Sequence, residues 1–200
     1  ILEGPEEITL TEQATLLMRL NGIPLALRPQ GFFQTNSHIA AALYRQGAEW
    51  FADSGAGSLW DLYCGVGGFA LHAARRVPGA RVLGLEISEQ AVAAARITAA
   101  DLGLERVRFT AGDATGIATG IAAGVGRRAP EALVVNPPRR GLGPELAAWI
   151  EESGIPTVIY SSCHAPSLVR DLSAMPSLSV RRARLFDMFP QTDHAETMVL

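Results

Sequence analysis

The run Val158-Ile159-Tyr160-Ser161-Ser162-Cys163 is β-branched and aromatic, reads as a strand, and ends on a thiol. In an open α/β sheet the carboxyl ends of the strands line the crevice where ligands bind. A thiol at such an end is a candidate nucleophile. Position alone also allows the bland reading, in which Cys163 is a small buried apolar residue. What favours the nucleophile is a second motif earlier in the chain, Asp61-Leu62-Tyr63-Cys64-Gly65-Val66-Gly67-Gly68-Phe69-Ala70. Glycines that follow a strand and enter a helix permit a tight turn and close approach of a ligand to the backbone. Cys64, the one other cysteine, lies inside that loop and reads as packing.

Gly65-x-Gly67-x-x-Ala70 also fits the dinucleotide fingerprint, with Glu86 following at the end of the next strand. Two acids weigh against NAD. Asp61 precedes the loop, where a carboxylate repels a pyrophosphate but attracts the cationic end of an amino acid. Asp113 closes the third strand and is placed to accept a hydrogen bond from an adenine amino group. With Glu86 at the ribose hydroxyls, the three acids describe S-adenosylmethionine, and NAD stays as the weaker alternative. The fourth strand ends Asn136-Pro137-Pro138-Arg139-Arg140-Gly141. Its prolines are stiff and donate no N–H, which leaves carbonyls and the Asn136 amide facing the crevice. Enzymes that methylate exocyclic nitrogens carry an aromatic residue where Arg139 stands, so a target of that kind is disfavoured.

The elements that must hold these groups follow a βα alternation. Strands are expected at Leu59–Tyr63, Arg81–Ile87, Val107–Ala111, Ala132–Asn136, Thr157–Ser161, Val180–Phe186 and Glu196–Leu200. Helices are expected between most of them, including Ser37 to about Ala52 capped by Ser37, and Glu89–Leu102 capped by Ser88. Such a pattern implies a mostly parallel sheet with helices on both faces, closed by an antiparallel last pair. Residues 7–28 alternate around Asn21-Gly22, a hairpin signal, and the Gly/Ala run 116–126 reads as a loop or weak helix.

Composition limits the function classes. The 200 residues suit one domain, and no apolar run approaches the ~18 residues of a membrane span. No signal peptide opens the chain, and two unrelated cysteines argue against a disulfide framework, so a reducing cytoplasm is expected. Net charge is −3 and every one of the seventeen basic residues is Arg. Arg clusters at 127–128, 139–140 and 181–184 offer guanidinium groups that suit phosphate, though a solvated surface explains the first equally well. The histidines and cysteines have no metal-ligand spacing. The first residue is Ile1, so a further N-terminal region is expected outside this sequence.

With Phe32-Phe33-Gln34-Thr35-Asn36 and the closing Phe189-Pro190-Gln191-Thr192-Asp193-His194-Ala195-Glu196, these motifs run in the order of the RNA uracil-5-methyltransferases, which the chain closely resembles over nearly its whole length. Asn-Pro-Pro-Arg-Arg-Gly together with Tyr-Ser-Ser-Cys is similar to the branch acting on 23S ribosomal RNA. The resemblance implies a Rossmann-like class I S-adenosylmethionine-dependent methyltransferase with a seven-stranded sheet. Residues 1–36 would then form a hairpin and pocket segment, and 37–200 the methyltransferase domain. It implies that Cys163 adds to C6 of uracil, making C5 nucleophilic, and that Glu196 later removes the C5 proton so that the thiol can leave. Position alone makes Glu196 an ordinary strand-end carboxylate.

The same resemblance maps Gln34, Tyr63, Gly65, Glu86, Asp113 and Asn136 to the cofactor, and Phe32 and Arg139 to the substrate. It also implies a flipped base and a monomer. A thiolate is needed, so the Cys163 pKa is expected to be lowered by the cationic cofactor or a basic neighbour. His164 departs from the Asn common among relatives. The cysteines that hold an iron–sulfur cluster in the ribosomal enzymes are not in this sequence, so any cluster would lie in the N-terminal region outside it. A transfer RNA enzyme, an NAD-dependent oxidoreductase and an inactive RNA-binding module are the rival readings.

Overall fold

The computed structural model describes residues 15–28, 31, 33–116 and 129–200. Most of the 116–126 run lies outside them. Strands β1 (Leu16–Leu20) and β2 (Ile23–Leu27) form the expected hairpin about Asn21-Gly22. Both turn residues have positive φ, 50° and 79°, which matches the twist of a tight hairpin. Asn21 also ties the hairpin to the helices behind it. Its amide nitrogen donates to the Ala41 carbonyl at 2.7 Å and to His72 Nε2 at 3.0 Å, and its oxygen accepts from Arg45. The Gly68 carbonyl, 2.7 Å from His72 Nδ1, can only accept, so the ring proton sits on Nδ1 and Nε2 accepts from Asn21.

Helix α1 (Ser37–Asp53) follows. Asn36, not Ser37, is its cap: Asn36 keeps an extended backbone while its side chain accepts from the Ile39 amide, and Ser37 is already helical. The alternation then runs β3 (Ser58–Leu62), α2 (Gly68–Arg76), β4 (Arg81–Glu86), α3 (Glu89–Asp101), β5 (Val107–Ala111), β6 (Ala132–Val135), α4 (Pro144–Ser153), β7 (Thr157–Ser162), α5 (Ala165–Ser173), β8 (Ala183–Phe186) and β9 (Glu196–Val199). Ser88 caps α3 as expected. The seven strands lie in the order β5-β4-β3-β6-β7-β9-β8. Five are parallel, and β9 runs antiparallel between β7 and β8.

Alternate residues of each central strand feed two cores. Leu59, Val82, Val134 and Ile159 pack under α1–α3 and the hairpin, whereas Trp60, Leu62, Leu83, Val135 and Tyr160 pack under α4 and α5. Full burial of such a leucine contributes about 1.5–3 kcal/mol, so a one-residue slip in any strand is strongly disfavoured. Hairpin residues Leu20, Ile23, Leu25 and Leu27 join the first of these cores. No helix among the described residues is long and apolar enough to cross a membrane.

Burial lowers the pKa of His72 from 6.5 to about 4. The folded state therefore resists protonation that the unfolded chain accepts, and stability falls as pH drops from 6.5 towards 4. Urea unfolding from pH 7 to 4.5 should show this slope, and His72→Gln should flatten it. A variant curve parallel to the parent's would assign the acid sensitivity to other groups.

Candidate active site

Strand parity decides which side chains share the crevice. Ile159 faces the α1–α3 layer, so Ser161 and Cys163 follow it to that side. Leu59 and Met198 face the same layer and bring Asp61 and Glu196 with them. The reversed direction of β9 completes the arrangement. Ser162↔Thr197 is the last pair of the β7–β9 register, with Cys163 just beyond it on one chain segment and Glu196 just before it on the other, close enough for the Glu196 charge to act on the thiol. A parallel final strand would have started Glu196 at the opposite edge of the sheet.

Cys163 lies one residue past β7, which ends at Ser162, and is half-buried. Glu196 is only 1% exposed, and the fully buried Ser161 hydroxyl donates to its Oε1. Burial raises the Glu196 pKa from 4.5 to about 7, and the Ser161 hydrogen bond opposes that rise. In the protein without cofactor the thiol pKa is also raised. Burial is the main cause, the Glu196 charge adds to it, and the Arg139 guanidinium works the other way. A neighbouring carboxylate disfavours thiolate, and sequence spacing gave no sign of its approach.

The loop that carries Arg139 is held from beneath. Buried Asp171 accepts from the Leu142 amide and the Tyr160 hydroxyl, both at 2.7 Å, and pairs with Arg170 at 2.9 Å. Arg170 also donates to the Arg140 carbonyl. Gly141, at φ 84°, packs so closely on the Asp171 carboxylate that a side chain there would collide with it. His164 turns away from this chemistry: its ring nitrogen accepts from the Ser167 amide and caps α5.

On the cofactor side, Asp61 is fully buried and accepts from the Ala70 amide at 2.9 Å, so a carboxylate already occupies the start of α2. That leaves little role for a phosphate there, which weakens the dinucleotide reading. Glu86 accepts from the Gly65 amide at 3.0 Å and the Ser88 amide at 2.9 Å, clamping the loop to α3. Of the glycines, Gly65 faces open space. A side chain on Gly67 would meet the Phe109 ring at 2.8 Å, and one on Gly68 would run into Tyr44. Two of the three glycines therefore serve packing and not ligand approach. Tyr63, at φ 63°, turns the chain out of β3 in a conformation that costs a non-glycine residue of order 1–3 kcal/mol. Asp113 stands two residues beyond β5, not at its end, and accepts from the Gly116 amide. Asn136 follows β6, its amide 3.5 Å from the Leu62 carbonyl. Phe32 lies outside the described residues.

Among the described residues, two buried acceptors lack a partner, Asp61 Oδ1 and Gln34 Oε1. Unpaired buried acceptors are rare, and both suit a cationic ammonium group. Ile87, which follows Glu86 just past the end of β4, is an apolar residue 73% exposed. Ile87 and Tyr44 were missed in the sequence. An isoleucine after a strand-ending acid was the one available signal, and nothing local marked Tyr44. No group of three or more His, Cys, Asp or Glu among the described residues could hold a metal.

The fold and site define a Rossmann-like class I methyltransferase. A protein described as an S-adenosylmethionine-dependent methyltransferase from Agrobacterium tumefaciens shares the fold, with TM-score 0.69, 16% identity, and coverage of 98% of this chain and 72% of the other. Residues 23–200 match the family model described as tRNA (Uracil-5-)-methyltransferase, and the chain belongs to that family. It is 48% identical over its whole length to the 23S rRNA (uracil(747)-C(5))-methyltransferase RlmC of Halothiobacillus neapolitanus, and 45% identical to that of Vibrio vulnificus. The chain spans 52% and 51% of those two proteins. The tRNA (uracil-54, C5)-methyltransferase of Pyrococcus abyssi, solved with S-adenosyl-L-homocysteine, aligns with TM-score 0.77 and 26% identity, over 94% of this chain and 44% of its own.

Burial raises the Asp61 pKa from 3.8 to about 8. Its contribution to stability is whole below about 3.8 and is lost as pH climbs through about 8. The protein without cofactor should therefore lose urea resistance between pH 6 and 9. Asp61→Asn should remove most of that loss. Parent and variant curves that stay parallel would show that Asp61 is ionised throughout.

Proposed function

We propose that this chain is the catalytic domain of a methyltransferase that places a methyl group on C5 of a uridine in 23S ribosomal RNA. The observation that supports the reading is the antiparallel β7–β9 pairing, whose last pair, Ser162↔Thr197, is followed in β7's direction by Cys163 and preceded on β9 by Glu196. An oxidoreductase has no use for that thiol and carboxylate. The similarity to RlmC proteins at 45–48% identity over the whole chain supports the ribosomal substrate. The transfer RNA enzyme is less similar, at 26% identity.

Asp61 and Gln34 would hold the ammonium end of S-adenosylmethionine, Glu86 the ribose, and Asp113 and Ile87 the adenine. Tyr63, Gly65 and Asn136 would complete that wall. Bound there, the cofactor supplies an electrophilic methyl group on a cationic sulfur. Phe32 and Arg139 would position a flipped uracil. Cys163 Sγ would add to C6 as the thiolate, sending the C5–C6 π pair to C5 and the C4 oxygen. C5 would then bond the methyl carbon as its bond to the cofactor sulfur breaks, leaving S-adenosylhomocysteine. Arg139 offsets part of the charge that disfavours the thiolate. Glu196 then takes the proton from C5, its electron pair forms the C5–C6 double bond, and the C6–S bond breaks to return the thiolate. A carboxylate that titrates near 7 is matched to this work. We further propose that residues 1–36 act as a pocket segment to a methyltransferase domain at 37–200, and that the enzyme is a cytoplasmic monomer.

Calorimetry should detect S-adenosylhomocysteine and not NAD, and Glu86→Ala should weaken the former by about 1.5–3 kcal/mol. The reverse ranking would restore the oxidoreductase. With radiolabelled methyl donor and a 23S ribosomal RNA transcript, Cys163→Ala should abolish turnover and any covalent protein–RNA band. Glu196→Gln should trap a labelled band that persists in denaturing gels. A Cys163→Ala protein that still methylates C5 overturns the thiol's role, and normal turnover in Glu196→Gln returns that residue to structure.

A further inference from the structure

Among the described residues, the Glu196 carboxylate receives one side-chain hydrogen bond, and it comes from the strand that leads to the thiol. Ser161 is fully buried, and its hydroxyl donates to Glu196 Oε1 across the β7–β9 pair. A serine here has no packing advantage over alanine or valine. Its neighbours on the same face, Ile159 and Met198, are apolar. A buried hydroxyl without a partner is costly, so the residue is explained by what it donates to.

We infer that Ser161 is a positioning residue for the base: it orients the Glu196 carboxylate across the β7–β9 pair and favours the ionised form that takes the C5 proton. This rests on the reading of Glu196 as that base. The groups around Glu196 leave the task to Ser161. Cys163 faces it from the end of β7 and, as a thiolate, repels it. Tyr44 faces it from α1 and stays neutral, its pKa pushed up by burial and by the charges of Asp61 and Glu196. Phe186, its partner on β8, has no charge. Arg139 acts at the thiol. The Ser161 hydroxyl opposes the burial that would otherwise hold Glu196 protonated at neutral pH.

The consequence falls on one step. Proton removal from C5 needs the carboxylate, while addition of Cys163 and methyl uptake do not. A charge-assisted hydrogen bond of ordinary strength corresponds to about one to two pK units. Losing it from a group that titrates near 7 cuts the ionised fraction at pH 7 by about five- to fifty-fold.

The test follows decay of the labelled covalent adduct in single turnovers of the full-length protein on a 23S ribosomal RNA transcript, from pH 6 to 9.5. In Ser161→Ala the acid limb of the decay rate should move up by about one to two pH units. Decay at pH 7 should slow about five- to fifty-fold, and by pH 9 it should recover to at least about half the parent rate. S-adenosylhomocysteine affinity should match the parent's and adduct formation should be no slower, since a less charged Glu196 eases thiolate formation, which separates the effect from misfolding. Ser161→Thr, which keeps the hydroxyl, should restore the parent profile. A Ser161→Ala profile that superimposes on the parent's overturns the inference while leaving the base assignment standing. A Glu196→Gln protein whose adduct decays at the parent rate overturns the base assignment itself, and the inference with it.

Discussion

Reversal of the last strand between β7 and β8 is the constraint on which the site depends. A parallel sheet delivers the ends of its strands to one edge, which accounts for Tyr63, Glu86, Asp113, Asn136 and Cys163. An antiparallel strand delivers its beginning there, and β9 begins with Glu196. The pairing is continuous from Tyr160↔Val199 to Ser162↔Thr197. It brings a carboxylate into the core near a thiol, where burial raises both pKa values and the Glu196 charge raises the thiol's further. Ser161 and Arg139 are the groups that work against that rise. The site is thus a set of acids in low dielectric with little positive charge of its own, an environment that favours a cationic ligand.

Asp61 extends the same logic to the cofactor side. It caps α2 with one oxygen and leaves the other buried without a partner. The loop beyond it is braced on both flanks, by Glu86 at Gly65 and by the aromatic rings of Phe109 and Tyr44 against Gly67 and Gly68. A loop held this firmly presents its one open glycine, Gly65, in a set position. Strain collects where the chain leaves β3, at Tyr63, and the surrounding packing holds it there.

Asp171 has the corresponding role on the other face. Although distant from the thiol in the sheet layers, it fixes the backbone from Arg140 to Leu142 and so the base of the Arg139 loop. Proline stiffness alone would limit that loop without locating it. The hydrogen bonds from Tyr160 and Leu142 tie it to β7 and α5, the elements that flank Cys163. The cation that favours thiolate and the thiol itself are therefore anchored to one buried side chain.

Much of this was legible in the chain. The βα alternation, the Asn21-Gly22 hairpin, the strand ends bearing Cys163 and Glu86, and the Ser88 cap are local patterns, and local patterns survive folding when the core repeats them. Family motifs carried the pairing of Cys163 with Glu196, because 32 intervening residues hide it from any spacing rule. What lay beyond the sequence was every property set by distance through space. The cap moved to Asn36 because φ and ψ decide which polar residue is extended. Gly67 and Gly68 proved to be seats for rings brought from α1 and β5. The thiol pKa is raised because folding buries it and, secondarily, because a carboxylate from another strand lies beside it. Residue types and their periods determined the elements and the chemistry at their ends; burial, register and the direction of β9 decided which of those ends meet, since each depends on contacts between segments far apart in the chain.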